Sequence, residues 1–333
     1  MTMTASAVQR ALSRRVRALE RDLPGVLDGD VEALHRSRVA SRRLREILPV
    51  LGLERDPGRQ TPIRKLRRRL RRLTSALGGV RELDVALGIL DELRRDHPEL
   101  EQTLLRARSE MEADRTECRE EMTRHLHEFG AGAIFDQLAR VVEDAARRSQ
   151  VTRVTLLRQR LRRRANRVEA AVADAGSLFA LDRLHQVRIA AKQLRYALEL
   201  IHEFGRVPAL RLVGSLKQLQ DLLGRLHDLE VVSGYIHRLG AAEPAPQADA
   251  IERAAERLDR EMRELHASYL TKVHLLDRVV AACRADVERR LAGKLAGPAR
   301  RRHPWPTVAR SSSSGTRSPR SAARSSRTTR GAR

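Results

Sequence analysis

The sequence predicts an all-α chain built from two related halves of antiparallel helices and closed by a disordered basic C-terminal tail. Three observations carry this expectation. Leu, Ala, Val, Arg and Glu recur at spacings of three and four, the period of an amphipathic helix, while no stretch alternates apolar with polar over several β-branched residues. The window LHRSRVASRRLREIL from Leu34 returns 150 residues later as LHQVRIAAKQLRYAL from Leu184, with seven of fifteen positions identical. A second pair, LGGVRELDVALGIL from Leu77 and LGRLHDLEVVSGYI from Leu223, follows in the same order at an offset of 146.

Taken along the chain, turn signals divide it into helices at Gly52 to Pro62, Gly78-Gly79, His97-Pro98, Gly130 to Gly132, Asp174 to Ser177, Gly205 to Pro208 and Gly240 to Gln247. The first repeat is expected over about 5–150 and the second over about 151–297, the two making one domain, 1–297. Residues 298–333 have no apolar periodicity and are rich in Arg and Ser, so they cannot bury enough surface to order themselves. This tail either binds polyanions nonspecifically or has no role.

No apolar run approaches the roughly 18 residues needed to cross a bilayer, and Met1 to Val8 lack the apolar core of a signal peptide, so a cytoplasmic protein with no membrane partner is expected. Cys118 and Cys283 form no metal-ligand spacing; both are expected to be buried small hydrophobes, with no disulfide, metal or cofactor. The net charge of +23 is the strongest compositional signal. Ten arginines and no acids lie in the last 36 residues, yet the remaining body still carries 56 basic against 43 acidic residues and calls for an acidic partner.

Local patterning says where such a partner would sit. His35, Arg38, Arg42 and Arg45 stand at i, i+3, i+7 and i+10, within an arc of roughly 80° on a helix. Leu34, Ser37, Ser41, Leu44, Leu48 and Leu51 fill the adjoining arc, which is therefore the core face. The second repeat reproduces the stripe as His185, Arg188, Lys192 and Arg195. An ordinary solvated helix face would interleave acids at i,i+4; here only Glu46 lies near the first stripe, and Glu199 is expected to lie away from the second. Unpartnered cations stacked in this way make most sense if an external anion neutralises them.

Further cations can join this surface. They are Arg64, Lys65, Arg68, Arg69, Arg71 and Arg72, then Arg153, Arg160, Arg164 and Arg167, and Lys217, which aligns with Arg71. Arg10, Arg14, Arg17 and Arg21 repeat the spacing, but Glu20 and Asp22 make a salt-bridged surface an equal reading. Arg offers a planar fork to phosphate oxygens, Lys a point charge, and His a donor that charges toward acidic pH. With aromatics at 2%, a stacking platform for single-stranded nucleic acid is lacking, and no groove-reading motif favours specific duplex recognition. Nonspecific nucleic-acid binding through the same surface and tail is the alternative.

These residues resemble the CHAD family, the histidine-containing α-helical domain, whose helices carry an HxxRxxxRxxR-like pattern in each of two repeats. His35, Arg38, Arg42, Arg45 and His185, Arg188, Lys192, Arg195 match it position by position, and the likeness runs from Val8 to about Leu291. The resemblance implies two helical bundles related by pseudo-twofold symmetry, with a basic channel that binds inorganic polyphosphate, often on intracellular polyphosphate granules alongside granule-associated proteins. The expected binding set is the two stripes, which match the family's motif, together with Arg14, Lys65, Arg68, Arg71, Arg72, Arg160, Arg164 and Lys217 from the spacing read above. The chain departs from an even pattern where Arg81-Glu82-Leu83-Asp84 is answered by His227-Asp228-Leu229-Glu230 and where Gln193 replaces the charge of Arg43. Those acids are expected to cap helices or pair with stripe arginines. Some relatives are fused to a triphosphate-tunnel hydrolase; neither its β-barrel nor its ExExK motif is here, so no enzymatic activity is expected. His125 and His127, at i,i+2, point apart on a helix and are not expected to hold a metal.

Overall fold

A computed structural model describes residues 3–55, 58, 60–146, 149–242 and 245–295. Among them every regular element is helical. The first half comprises α1 (Met3–Leu27), α2 (Val31–Ile47), α3 (Gln60–Asp96), α4 (Glu101–Glu128) and α5 (Ala131–Ala146). The second comprises α6 (Gln150–Ala175), α7 (Leu181–Gly205), α8 (Leu210–Ala242), α9 (Ala245–Lys272), α10 (His274–Ala282), a π-helical turn Cys283–Val287 and α11 (Glu288–Leu295). The tail 298–333, for which the sequence predicts disorder, lies outside the described residues.

The duplication read from the sequence is a duplication of packing. In the first half α1 packs on α2, α2 on α3, α3 on α4, and α5 returns to α1; in the second α6 packs on α7, α7 on α8, α8 on α9, and α10 and α11 return to α6. The halves meet like on like at α2 against α7, α3 against α8 and α4 against α9, contacts consistent with a pseudo-twofold axis, and α4 also packs on α8. Core positions correspond accordingly. Leu34, Ser37, Ala40, Ser41 and Leu44 are buried on α2, and Leu184, Val187, Ala190, Ala191 and Leu194 on α7. One large core joins Leu12, Leu44 and Leu70 of the first half to Leu161, Leu194 and Leu216 of the second. A smaller one, with Leu90, Met111, Ile236 and Leu258, lies where the far ends of α3 and α8 pack with α4 and α9.

Most turn signals coincide with helix ends, but Gly78-Gly79 does not: α3 runs through it unbroken. The pair lies within the helix where α2 and α4 pack on it, and both positions have room for a side-chain carbon at ordinary contact distance. A Cβ on Gly78 would stand 3.7 Å from Arg38 Nε, and one on Gly79 the same distance from Cys118 Sγ. Cys118 itself is half-buried, not buried, at this crossing, whereas Cys283 is 1% exposed.

Candidate cationic site

α2 starts at Asp30, whose side chain accepts from the Glu32 N–H at 2.8 Å, a carboxylate N-cap. Its buried serines let α3 come close: the Thr74 hydroxyl donates to the Leu70 carbonyl at 2.6 Å and lies 3.2 Å from Ser41 Oγ. With that face committed to the core, His35, Arg38, Arg42 and Arg45 are carried along its flank.

The two stripes share one surface. Lys192 of α7 lies among Arg188 and Arg195 of its own helix and Arg42 and Arg38 of α2, and burial together with those four cations pushes its pKa down to about 7. Burial also lowers Arg38, Arg42 and Arg45 from the usual arginine range. The Tyr196 ring is wedged between the halves, with the Arg42 guanidinium 4.7 Å and the Arg195 guanidinium 5.0 Å from its centroid. Both contacts are cation–π interactions that hold like charges against one ring. The Nε atoms of Arg38, Arg42 and Arg195 are buried and have no hydrogen-bond partner among the described residues.

One expectation is corrected here. Glu199 does not lie away from the second stripe: it accepts from Arg195 at 3.0 Å, because i+4 returns to the same face. Glu46 is likewise engaged, by Arg160 and by Arg164 at 3.0 Å, so α6 of one half is tied to α2 of the other. All three side chains are at most 15% exposed. Glu46→Gln should therefore cost on the order of 3 kcal/mol, since it leaves two largely buried guanidinia without their anion, and should lower the thermal midpoint by roughly 6 to 10 degrees. Glu54→Gln, which frees only the more exposed Arg67, is the comparison and should cost less than about 1 kcal/mol.

The remaining predicted residues divide. Arg45, Glu46, Arg68, Arg71, Arg160 and Arg164 line an open cleft of about 550 Å³, joined by Arg64 and Arg67. Lys65 and Arg72 are exposed on α3, beside the arc that faces the cleft. Lys217 is exposed on α8. Arg14 lies across the α2–α7 contact, 3.5 Å from Glu203, and Arg21 pairs with Asp22 at 3.0 Å, which favours the salt-bridged reading of that early stripe. Arg153 is 5% exposed and donates to the Ala145 carbonyl, away from any stripe.

The acids of the second signature sit mid-helix and are not caps, and Glu82, Asp84 and Glu230 form side-chain pairs. Glu82 of α3 accepts from His227 Nε2 of α8 at 3.2 Å, Glu230 lies 3.2 Å from His227 Nδ1, and Asp84 accepts from Arg115 at 2.7 Å. His227 is held toward its charged form first by Glu82, whereas burial first, then the neighbouring His227, lowers His185, whose ring centroid is 4.6 Å away. His125 and His127 are exposed, and among the described residues no three of His, Cys, Asp and Glu are placed to hold a metal ion. No described helix is long and apolar enough to cross a membrane.

Sequence reasoning passed over Tyr196 and Arg67. Tyr196 occupies the repeat position of Glu46, an aromatic where the first half has an acid in a chain almost free of aromatics, and that substitution is the signal that could have found it. Arg67 sits one turn from Arg64 and Arg71 on the cleft face of α3, a position that periodicity alone could have supplied.

The CHAD domain family model matches residues 10–237. The crystal structure of the CHAD domain from the plant Ricinus communis is similar at 22% identity and a TM-score of 0.55, over 84% of this chain and 91% of that one. PptA from Streptomyces chartreusis is similar at 18% identity and a TM-score of 0.50, over 84% of this chain and 98% of that one. At these identities the likeness is one of fold. No curated protein matches the chain.

Proposed function

The chain belongs to the CHAD domain family, and from that premise we propose that it binds inorganic polyphosphate, without turning it over, at the surface where α2 meets α7. The observation that carries this reading is Lys192 among four arginines drawn from both helices. A ring of like charges destabilises the free protein and is relieved by a ligand that brings a negative charge at every link. Tyr196 also speaks against a nucleic-acid platform: it is 7% exposed and already covered by two guanidinia, so no base can stack on it. Glu82 is held by His227 and Asp84 by Arg115, which at these two carboxylates supports binding over catalysis. The cell would use such a protein on cytoplasmic polyphosphate granules, either as a coat or as an adaptor for granule-associated proteins.

The test is a titration with long-chain polyphosphate across a salt series, with duplex DNA at equal phosphate concentration as competitor, for the full chain and for the chain lacking residues 298–333. Binding that survives the deletion, resists DNA and shows a steep salt slope is expected, with no release of orthophosphate on prolonged incubation. Affinity lost with the tail, or ready displacement by DNA, would instead make this a general polyanion binder.

A further inference from the structure

We infer that the phosphate chain enters on one side only of the α2–α7 contact, through the cleft between α2, α3, α6 and α7, although the fold provides a pseudo-equivalent cleft on the other side. The inference rests on the polyphosphate reading and adds which of two sites is used. The twin is bounded by the corresponding helices of the opposite half, α7, the start of α8, α1 and α2, and at about 930 Å³ it is the larger. Volume alone would favour it.

Charge decides otherwise. The first cleft is lined by seven arginines against one glutamate; the twin is lined by five arginines, His35 and His202 against Asp22, Glu199 and Glu203. Ion pairing widens the gap. In the twin, Arg15 binds Glu203 at 2.6 Å with Arg14 3.5 Å away, and Asp22 takes Arg21 at 3.0 Å and Arg36 at 3.2 Å. Arg43 is its one arginine without a carboxylate partner among the described residues. In the first cleft Glu46 holds Arg160 and Arg164 and Glu54 holds Arg67, but Arg45, Arg64, Arg68 and Arg71 have no such partner among the described residues.

The repeat shows where the asymmetry arises. Arg64, Arg68 and Arg71 stand at i, i+4 and i+7 on α3, a row about 10 Å long. At the 146 offset their counterparts on α8 are Leu210, Gly214 and Lys217, so the row is reduced to one cation. Leu210, 58% exposed, lines the twin in place of an arginine. A flexible phosphate chain that reaches Lys192 is therefore drawn toward α3 and not toward α8.

Two pairs of exposed arginines test this in the full chain. Arg68→Gln/Arg71→Gln should raise Kd for long-chain polyphosphate by tenfold or more and lower the salt slope by about two. Arg36→Gln/Arg43→Gln, in the twin, should leave Kd within about twofold and the slope unchanged. Leu210→Arg/Gly214→Arg should do the reverse of the first pair, raising the slope by up to about two, because no atom within 4 Å obstructs a side chain at Gly214. Thermal midpoints of all three report folding. Equal losses from the two pairs would overturn the one-sided path while leaving polyphosphate binding intact. Failure of the unmodified chain to bind at all would overturn the function and this inference together.

Discussion

Lys192→Glu should raise Kd for polyphosphate by about a hundredfold or more while raising the thermal midpoint of the free protein. Reversing a cation that lies among Arg38, Arg42, Arg188 and Arg195 removes one attraction and adds one repulsion at the centre of the surface. A loss of about 3 kcal/mol is in the range measured for desolvated charges at interfaces, and it converts to roughly that factor. In the free protein the same change places a carboxylate where four guanidinia need one, so stability and affinity move in opposite directions. Arg42→Glu should weaken binding comparably, and the double variant should lose less than the sum of the singles, because both act on one anion position. Small, strictly additive losses would mean that the two stripes are separate surfaces after all. Calorimetric titration gives the affinities and differential scanning the midpoints.

The second large effect is on pH dependence. Lys192 has a pKa of about 7 in the folded protein, below the ordinary lysine value, so between about pH 7 and 10 the unfolded chain binds more protons than the native one. The stability of the free protein should therefore rise with pH across that window. Polyphosphate acts the other way: it favours the ammonium and raises its pKa, so binding takes up a proton. Affinity should be greatest below about pH 7 and should fall above it, by up to about tenfold per unit, until the pKa of the complex is passed. His35 and His185, which burial holds toward the neutral form, add charge only on acidification and so reinforce the trend. Titrations at pH 8 in buffers of different ionisation enthalpy should report uptake approaching one proton, and Lys192→Arg should flatten the pH profile. A flat profile in the unmodified protein would place Lys192 outside the binding surface.

Much of this architecture was legible in the residues themselves. The helices, the duplication and both stripes follow from periodicity and a repeat that survives at seven of fifteen positions. What sequence could not supply is what lies opposite. Gly78-Gly79 reads as a break until α3, packed between α2 and α4, is seen to run straight through it. Glu46 reads as a lone acid until α6, more than a hundred residues on, brings Arg160 and Arg164 to it. Glu82 and His227, 145 positions apart, become partners only because α3 and α8 cross. Glu199 was within reach, since an i+4 acid beside Arg195 needs no tertiary knowledge. Tertiary partners decide which cations remain free, and that is the quantity on which anion binding depends.

Contacts between the halves include three that are self-complementary: α2 meets α7, α3 meets α8 and α4 meets α9. A single half could close the same surface by pairing with an identical copy, as any isologous dimer does. Such a homodimer would be bound to carry every acid twice, and a Glu203 that seals one cleft would seal both. Joining the copies into one gene removes that obligation, so one half is free to keep a row of arginines while the other loses it.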